Sequence, residues 1–385
     1  MPRPRCASAL IAWILAMAVS GTLAQHEYDW NLPPAFPIPV VPADNPMSAE
    51  KVELGRYLFY DVRLSRNGTQ SCAACHNRER AFTDGLGQSI GSTGQVHPRG
   101  SLSLANVAYA AKLTWANPTL TRLEDQALVP MYGDHPVELG LDRSDEWLFM
   151  FQRDPVYVGL FNAAFPGAAD PITRENLVKA LASFERSIIS ARSPYDRYHF
   201  GGDETALSSA AKRGEALFHR PSLSCSSCHS GFNFSGAVVT AGTPRAEVEF
   251  HNTGLYNLPG LLSYPARDTG VYEVTKDPKD VGKFKAPTLR NIAVTAPYMH
   301  DGSIATLEAA IAHYSAGGRT IADGAHAGVG RDNPNKSVRI KGFTLTDAER
   351  RDLVAFLESL TDKPLILDLR FDNPWRKLIP GFASW

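Results

Sequence analysis

Residues 72–76 read Cys-Ala-Ala-Cys-His, and residues 225–229 read Cys-Ser-Ser-Cys-His. Two thioether bonds need cysteines about one helical turn apart, and the next residue then presents its imidazole to an iron. CxxCH is therefore read as a haem c attachment site. A single copy has rivals: chance, or half of a zinc site. Two copies in a chain with export features point to two covalent haems, one on Cys72, Cys75 and His76, the other on Cys225, Cys228 and His229. The usual alternative for paired cysteines in an exported protein is a disulfide framework. Four of the five cysteines lie in these segments, and Cys6 precedes an apolar run, so none is left for a long-range bridge.

Outward from these motifs, the 385-residue length predicts two domains. With 44% apolar and 21% charged residues the composition is that of a globular protein with substantial cores. A net charge of −1 excludes the strongly basic class that binds nucleic acid or anionic membrane non-specifically. Arg3 and Arg5 precede an apolar stretch over 7–19, and Thr22-Leu23-Ala24 offers small residues for cleavage. That layout predicts a secretory signal peptide over 1–24 and a periplasmic mature protein with no membrane span.

The segment 25–45 carries Pro33, Pro34, Pro37, Pro39 and Pro42 and is expected to be an extended arm. Beyond it the chain shows a weak internal repeat. Leu54-Gly55-Arg56-Tyr57-Leu58-Phe59 leads to the first CxxCH, and Arg213-Gly214-Glu215-Ala216-Leu217-Phe218 leads to the second. Each is a short amphipathic helix pattern, and each half closes with another. Asn176-Leu177-Val178-Lys179-Ala180-Leu181 closes the first; a capping box at Thr346-Asp347-Ala348-Glu349 opens the helix that closes the second. Helix, haem motif, loops, helix is the layout of a class I cytochrome c domain. The expected fold is mainly α, with two such domains over 46–200 and 201–363 and a tail over 364–385. The stretches 231–243 and 260–282 are too rich in Gly and Pro for long helices and are read as loops around the second haem.

At this point the sequence resembles a known family, the bacterial dihaem cytochrome c peroxidases and their relative MauG. The resemblance is carried by Leu64-Ser65-Arg66-Asn67-Gly68-Thr69-Gln70-Ser71 before the first CxxCH. In the second half it is carried by Ala286-Pro287-Thr288-Leu289-Arg290-Asn291 and Thr295-Ala296-Pro297-Tyr298-Met299-His300-Asp301-Gly302. Gly133-Asp134-His135-Pro136-Val137-Glu138-Leu139 and the arm at Tyr28 to Trp30 look most like the MbnH branch, MauG-like enzymes associated with a small copper-binding partner.

The resemblance implies a role for each matching residue. His76 and His229 are the proximal ligands. The sixth ligand of the second haem is methionine in ordinary members and tyrosine in MauG-like ones, and Tyr314 occupies its position. By pattern alone, Leu307, Ile311 and Tyr314 fall on the core-facing side of one helix, which reads as a packed core tyrosine, and only the resemblance makes it a ligand; Met299 is the rival ligand. Over the first haem the resemblance implies Glu138 as the acid–base carboxylate, Gln126 as a hydrogen-bonding group and Pro130 as the residue that excludes a sixth ligand. His135 is an alternative acid–base group. The histidine that blocks the first haem in ordinary members has no counterpart in Gly91-Ser92-Thr93-Gly94-Gln95; His97 is offset and reads as a loop residue. Trp115 corresponds to a tryptophan between the haems. The family also holds a calcium through an asparagine and carbonyls near Thr295 and Pro297, but Pro98-Arg99-Gly100 lacks that asparagine.

Three functions compete. The first is an enzyme in which hydrogen peroxide makes a high-valent dihaem state that oxidises an aromatic side chain, tryptophan above all, on a periplasmic partner, with a small copper-binding protein as the implied substrate. The second is a peroxidase that removes hydrogen peroxide with electrons from a small cytochrome or cupredoxin. The third is an electron carrier, which would have no use for Gln126 and Glu138.

Overall fold

A computed structural model describes residues 28–377 apart from residues 35 and 261. The segment 1–24, expected to be a signal peptide, the start of the arm and the end of the tail lie outside the described residues. The rest is mainly helical, in two cytochrome c-type units. The first holds α1 (Ala49–Phe59), α2 (Cys72–Cys75), α3 (Leu123–Tyr132), α4 (Phe149–Gln152), α5 (Pro155–Ala164) and α6 (Arg174–Ser187). A short α7 (Pro194–His199) leads into α8 (Ser209–Phe218), α9 (Tyr272–Thr275), α10 (Leu307–Ala316), α11 (Asp347–Ser359) and α12 (Lys363–Leu367). Strand pairing is slight: β1 (Phe250–His251) pairs with β2 (Phe284–Lys285), and β3 (Thr320–Ile321) with β4 (Gly328–Val329), both antiparallel.

The internal repeat has a structural meaning. Ser48 and Ser208 cap α1 and α8, each accepting a backbone N–H of the first turn through its hydroxyl. In α1, Leu54 and Leu58 bury one face against α6; in α8, Leu217 and Phe218 bury theirs against α11. The glycine shared by the two motifs sits where each pair crosses. A Cβ on Gly55 would stand 2.0 Å from the Ala180 carbonyl oxygen of α6, and one on Gly214 would stand 1.9 Å from that of Asp352 in α11. Only glycine lets backbones approach so closely. The capping box at Thr346 and Glu349 is formed, and Thr173 caps α6.

Each unit has its own core. Leu54, Phe59, Phe82, Met131, Phe151, Leu177 and Phe184 belong to the first; Phe218, Phe234, Leu255, Ile311, Leu353 and Phe356 belong to the second. The chain beyond the second unit returns to the first, where Leu365 and Phe371 join its core and Trp375 packs on it. Asn106, Ser190, Asn291 and Asp362, all buried, lock the two units by hydrogen bonds across their junction. The described part of the arm has no helix, and Phe36 anchors it against Tyr109 and Phe232. Among the described residues no helix is long and apolar enough to cross a membrane.

Candidate active site

Both CxxCH segments open onto one continuous cavity of about 710 Å³. Its wall includes Cys72, Cys75 and His76 at one end, Cys225, Cys228, His229 and Tyr314 at the other, and Trp115 as well.

The two imidazoles are prepared alike. His76 Nδ1 lies 2.9 Å from the Phe82 carbonyl oxygen, and His229 Nδ1 lies 3.2 Å and 3.1 Å from those of Phe234 and Pro287. A carbonyl can only accept, so Nδ1 must donate in both rings and Nε2 keeps its lone pair. Burial lowers both pKa values, that of His229 to about 4, so the rings are neutral at pH 7. A neutral imidazole fixed in this tautomer is what a metal needs. The four cysteines are free, and burial pushes their thiols up, Cys75 to about 12 and Cys225 to about 11. Neutral sulfur suits thioether linkage rather than thiolate ligation. Among the described residues no group of three or more His, Cys, Asp or Glu is placed to hold a metal ion by itself. The cavity and its residues therefore fit two covalently held haems.

At the second end, α10 carries Tyr314 into the wall. Thr306 caps that helix and Gly317, at φ +73°, ends it. Burial raises the Tyr314 hydroxyl well above the usual phenol range, and Cys228 and Cys225 lie close enough to add to the effect. Met299 also lines the cavity, so both candidate ligands are in reach of it.

At the first end, α3 presents Gln126 and Pro130, one turn apart, to the cavity. The helix is fixed from behind by Glu124, a buried carboxylate 2.9 Å from Arg186 and 2.7 Å from Asn45 Nδ2. After α3 the chain folds back: Leu139 N–H donates to the Pro130 carbonyl and Leu141 N–H to that of Met131. This return delivers Glu138. The Gly91 to Gln95 segment, which lacks the blocking histidine, holds it there. Ser92 N–H donates to the Glu138 carbonyl, the Gln95 side chain accepts from Val137 N–H, and a Cβ on Gly91 would stand 1.8 Å from the Val137 oxygen. Burial lifts the Glu138 carboxyl to about 7.

His97 is more than the loop residue its spacing suggests. Its ring lines the cavity with Nδ1 3.8 Å from Glu138 Oε1, and burial lowers its pKa, leaving it neutral. His135, by contrast, borders the cavity only at its exposed rim: it is 91% exposed, with Nε2 3.9 Å from Asp134. Sequence reasoning also missed Glu185 and Lys285. Glu185 of α6 is fully enclosed, its carboxyl raised by burial to about 8. Lys285 is buried between the units, donates to the Lys112 carbonyl at 2.6 Å, and is lowered by burial to about 8. Among the described residues it has no acidic partner, so the carboxylates of a haem would fit beside it. Neither residue lies in a motif; only the fold brings them to the wall.

Trp115 stands in that wall with its indole N–H donating to the Gly100 carbonyl at 2.8 Å. The neighbourhood does not fit calcium. Gly100 brings no side-chain oxygen, and Thr295 and Pro297 offer at most carbonyls. The nearby carboxylates of Asp268 and Glu273 are each met by Arg99 at 2.7 Å. A hard dication wants six or more oxygen ligands with uncompensated charge among them, which these residues do not offer.

Family models described as di-haem cytochrome c peroxidase and as cytochrome c match residues 49–205 and 211–361. The chain is 38% identical to cytochrome-c peroxidase IdrP1 of Denitromonas iodatirespirans, over 88% of this chain and 90% of that protein. It is 34% identical to the methylamine utilization protein MauG of Methylorubrum extorquens, over 85% and 83%. Among solved structures it resembles a MauG-like protein associated with microbial copper homeostasis, at 49% identity and a TM-score of 0.88, covering 91% of this chain and all of that one.

Proposed function

The chain belongs to the family of di-haem cytochrome c peroxidases and MauG, and from that membership we propose that it directs the oxidising power of hydrogen peroxide at an aromatic side chain, tryptophan, of a periplasmic partner protein. The family makes it a peroxide-dependent dihaem oxidoreductase with two haem c groups. The haems supply peroxide binding and the storage of two oxidising equivalents; the chain's own residues supply the ligands, the proton transfers and the orientation.

The observation that carries the reading is the asymmetry of the cavity. Beside Cys225 and Cys228 stands a buried phenol, Tyr314; beside Cys72 and Cys75 stands a carboxyl whose proton affinity is set near neutrality, Glu138. A phenol oxygen in place of a thioether favours ferric and higher states over ferrous, which suits holding oxidising equivalents rather than accepting electrons. Cleaving a peroxide bond needs a base that takes the proton from one oxygen and returns it to the departing one as water. A carboxyl raised by burial to about 7 on the cavity wall supports Glu138 in both transfers. Gln126 would orient the bound oxygen from the same side, Pro130 would close that face without offering a ligand, and His97 would hold Glu138 in place. Trp115 would connect the two ends.

The likeness to a protein linked to copper homeostasis supports a small copper-binding protein as the partner. The rival reading is peroxide removal with electrons from a small cytochrome or cupredoxin, supported by the cytochrome-c peroxidase relatives. One experiment decides. Peroxide added to the fully ferric holoprotein should give a long-lived optical change, and a co-expressed copper-binding partner should then gain a modified tryptophan by mass spectrometry. Reaction with peroxide only after one-electron reduction, with rapid turnover of a reduced small cytochrome, would establish the rival instead.

A further inference from the structure

Behind the cavity wall the rings do not stop at Trp115. Its indole centroid is 6.4 Å from that of His300, whose ring stacks on Phe284 at 3.7 Å and lies 6.1 Å from the Tyr264 ring. Tyr264 is 5.3 Å from Tyr256, and Tyr256 is 5.2 Å from His326. Trp115, Phe284 and His300 border the cavity, Tyr264 and Tyr256 are buried beyond it, and His326 is exposed. We propose that this file of rings carries oxidising equivalents outward from the cavity, and that Tyr256, one ring beneath the surface at His326, is the residue that delivers them. The proposal rests on the reading that peroxide-derived equivalents leave through the protein.

The hydrogen bonds along the file differ in a way that gives it direction. Electron tunnelling falls steeply with distance, so a series of rings in near contact outruns one long step. An oxidised ring is trapped only where its proton has somewhere to go. The Trp115 indole N–H faces the Gly100 carbonyl, which cannot take a proton, so a hole there passes on. Tyr264 is buried with no hydrogen-bond partner for its hydroxyl and cannot shed a proton either. Tyr256 donates its hydroxyl to Asp301 Oδ2 at 2.5 Å, which places a carboxyl group where it can take the phenolic proton. One electron leaves Tyr256 inward along the rings, its phenolic proton moves to Asp301, and a neutral phenoxyl radical remains. The partner's aromatic side chain returns an electron and a proton to Tyr256 after each step, so two such oxidations, with two protons, balance the reduction of one hydrogen peroxide to two waters.

The test uses the diferric holoprotein with one equivalent of peroxide, followed by absorbance and freeze-quench EPR. The wild type should develop a tyrosyl radical as the peroxide-induced optical change decays. In Tyr256→Phe the optical change should form at the wild-type rate, last several-fold longer and give no tyrosyl signal. Asp301→Asn keeps a hydrogen-bond acceptor but cannot take the proton, so it should behave like Tyr256→Phe; Tyr264→Phe should slow the radical without abolishing it. A second arm replaces peroxide with a photogenerated ruthenium(III) oxidant, which should raise the tyrosyl signal in the wild type and not in Tyr256→Phe. No optical change with peroxide, together with the expected result in the second arm, would overturn the peroxide reading and leave the relay standing. An unaltered radical and decay in a folded Tyr256→Phe protein would overturn the relay.

Discussion

Among the described residues Glu138 has no cation beside it to hold it ionised, because the neighbouring His97 is kept neutral by burial, and desolvation leaves its carboxyl near 7. A base acts in its deprotonated form. The second-order rate with peroxide should therefore rise as pH increases through about 7 and level off above it. Glu138→Gln should cost about 10²–10⁴ in that rate and flatten the profile, as measured by stopped-flow absorbance. Only part of this pocket is legible in the sequence. Gln126 and Glu138 emerge from resemblance, since neither spacing nor composition marks them. His97 reads as a mere loop residue because a loop histidine carries no period, and its place over the cavity follows from hydrogen bonds that tie its own loop, 91–97, to the 137–139 turn. Glu185 and Lys285 leave no trace for the same reason: burial of a charged side chain is a tertiary fact.

The helix pairs show what the sequence does encode. Caps and apolar faces are local, so Ser48, Ser208 and the Thr346 box can be read directly, and Thr346→Ala should cost about 1 kcal/mol of stability in thermal melts. The repeat itself is visible in residues 54–59 and 213–218, but nothing in one sequence says which of its members touches a partner helix. The structure assigns that to the glycines. Gly214→Ala should destabilise by about 1–3 kcal/mol or more, because its methyl group would meet a backbone oxygen that cannot rotate away. A comparable addition of volume at the exposed position Ala216 of the same helix should be nearly silent, which separates crowding from helix propensity. The loops are harder to read. The segment 260–282 is expected to hold no long helix, and α9 there is only four residues long, but its sequence does not show that Asp268 meets Arg99 of the other unit.

Across the whole molecule, the two ends of one cavity are given different oxygen chemistry, and Tyr314 sets that of the end away from Glu138. Its side chain is enclosed, and its hydroxyl stays protonated unless a cation replaces the proton. An iron held by His229 would make that exchange and gain an anionic oxygen ligand in return. Tyr314→Met would substitute a soft neutral donor of comparable reach, raising the reduction potential of that haem by something on the order of 0.1 V or more, since axial ligands span about 0.8 V across haem proteins. Redox titration should resolve the shift for one haem and leave the other near its original value. The ferric protein should then react with peroxide at an undiminished rate, because Glu138 and Gln126 are untouched, yet the resulting oxidised state should decay faster because the second iron no longer shares it. Equal potentials in the two proteins would mean that Tyr314 packs beside the haem instead of binding it. Met299, which borders the same cavity, would then become the ligand to test.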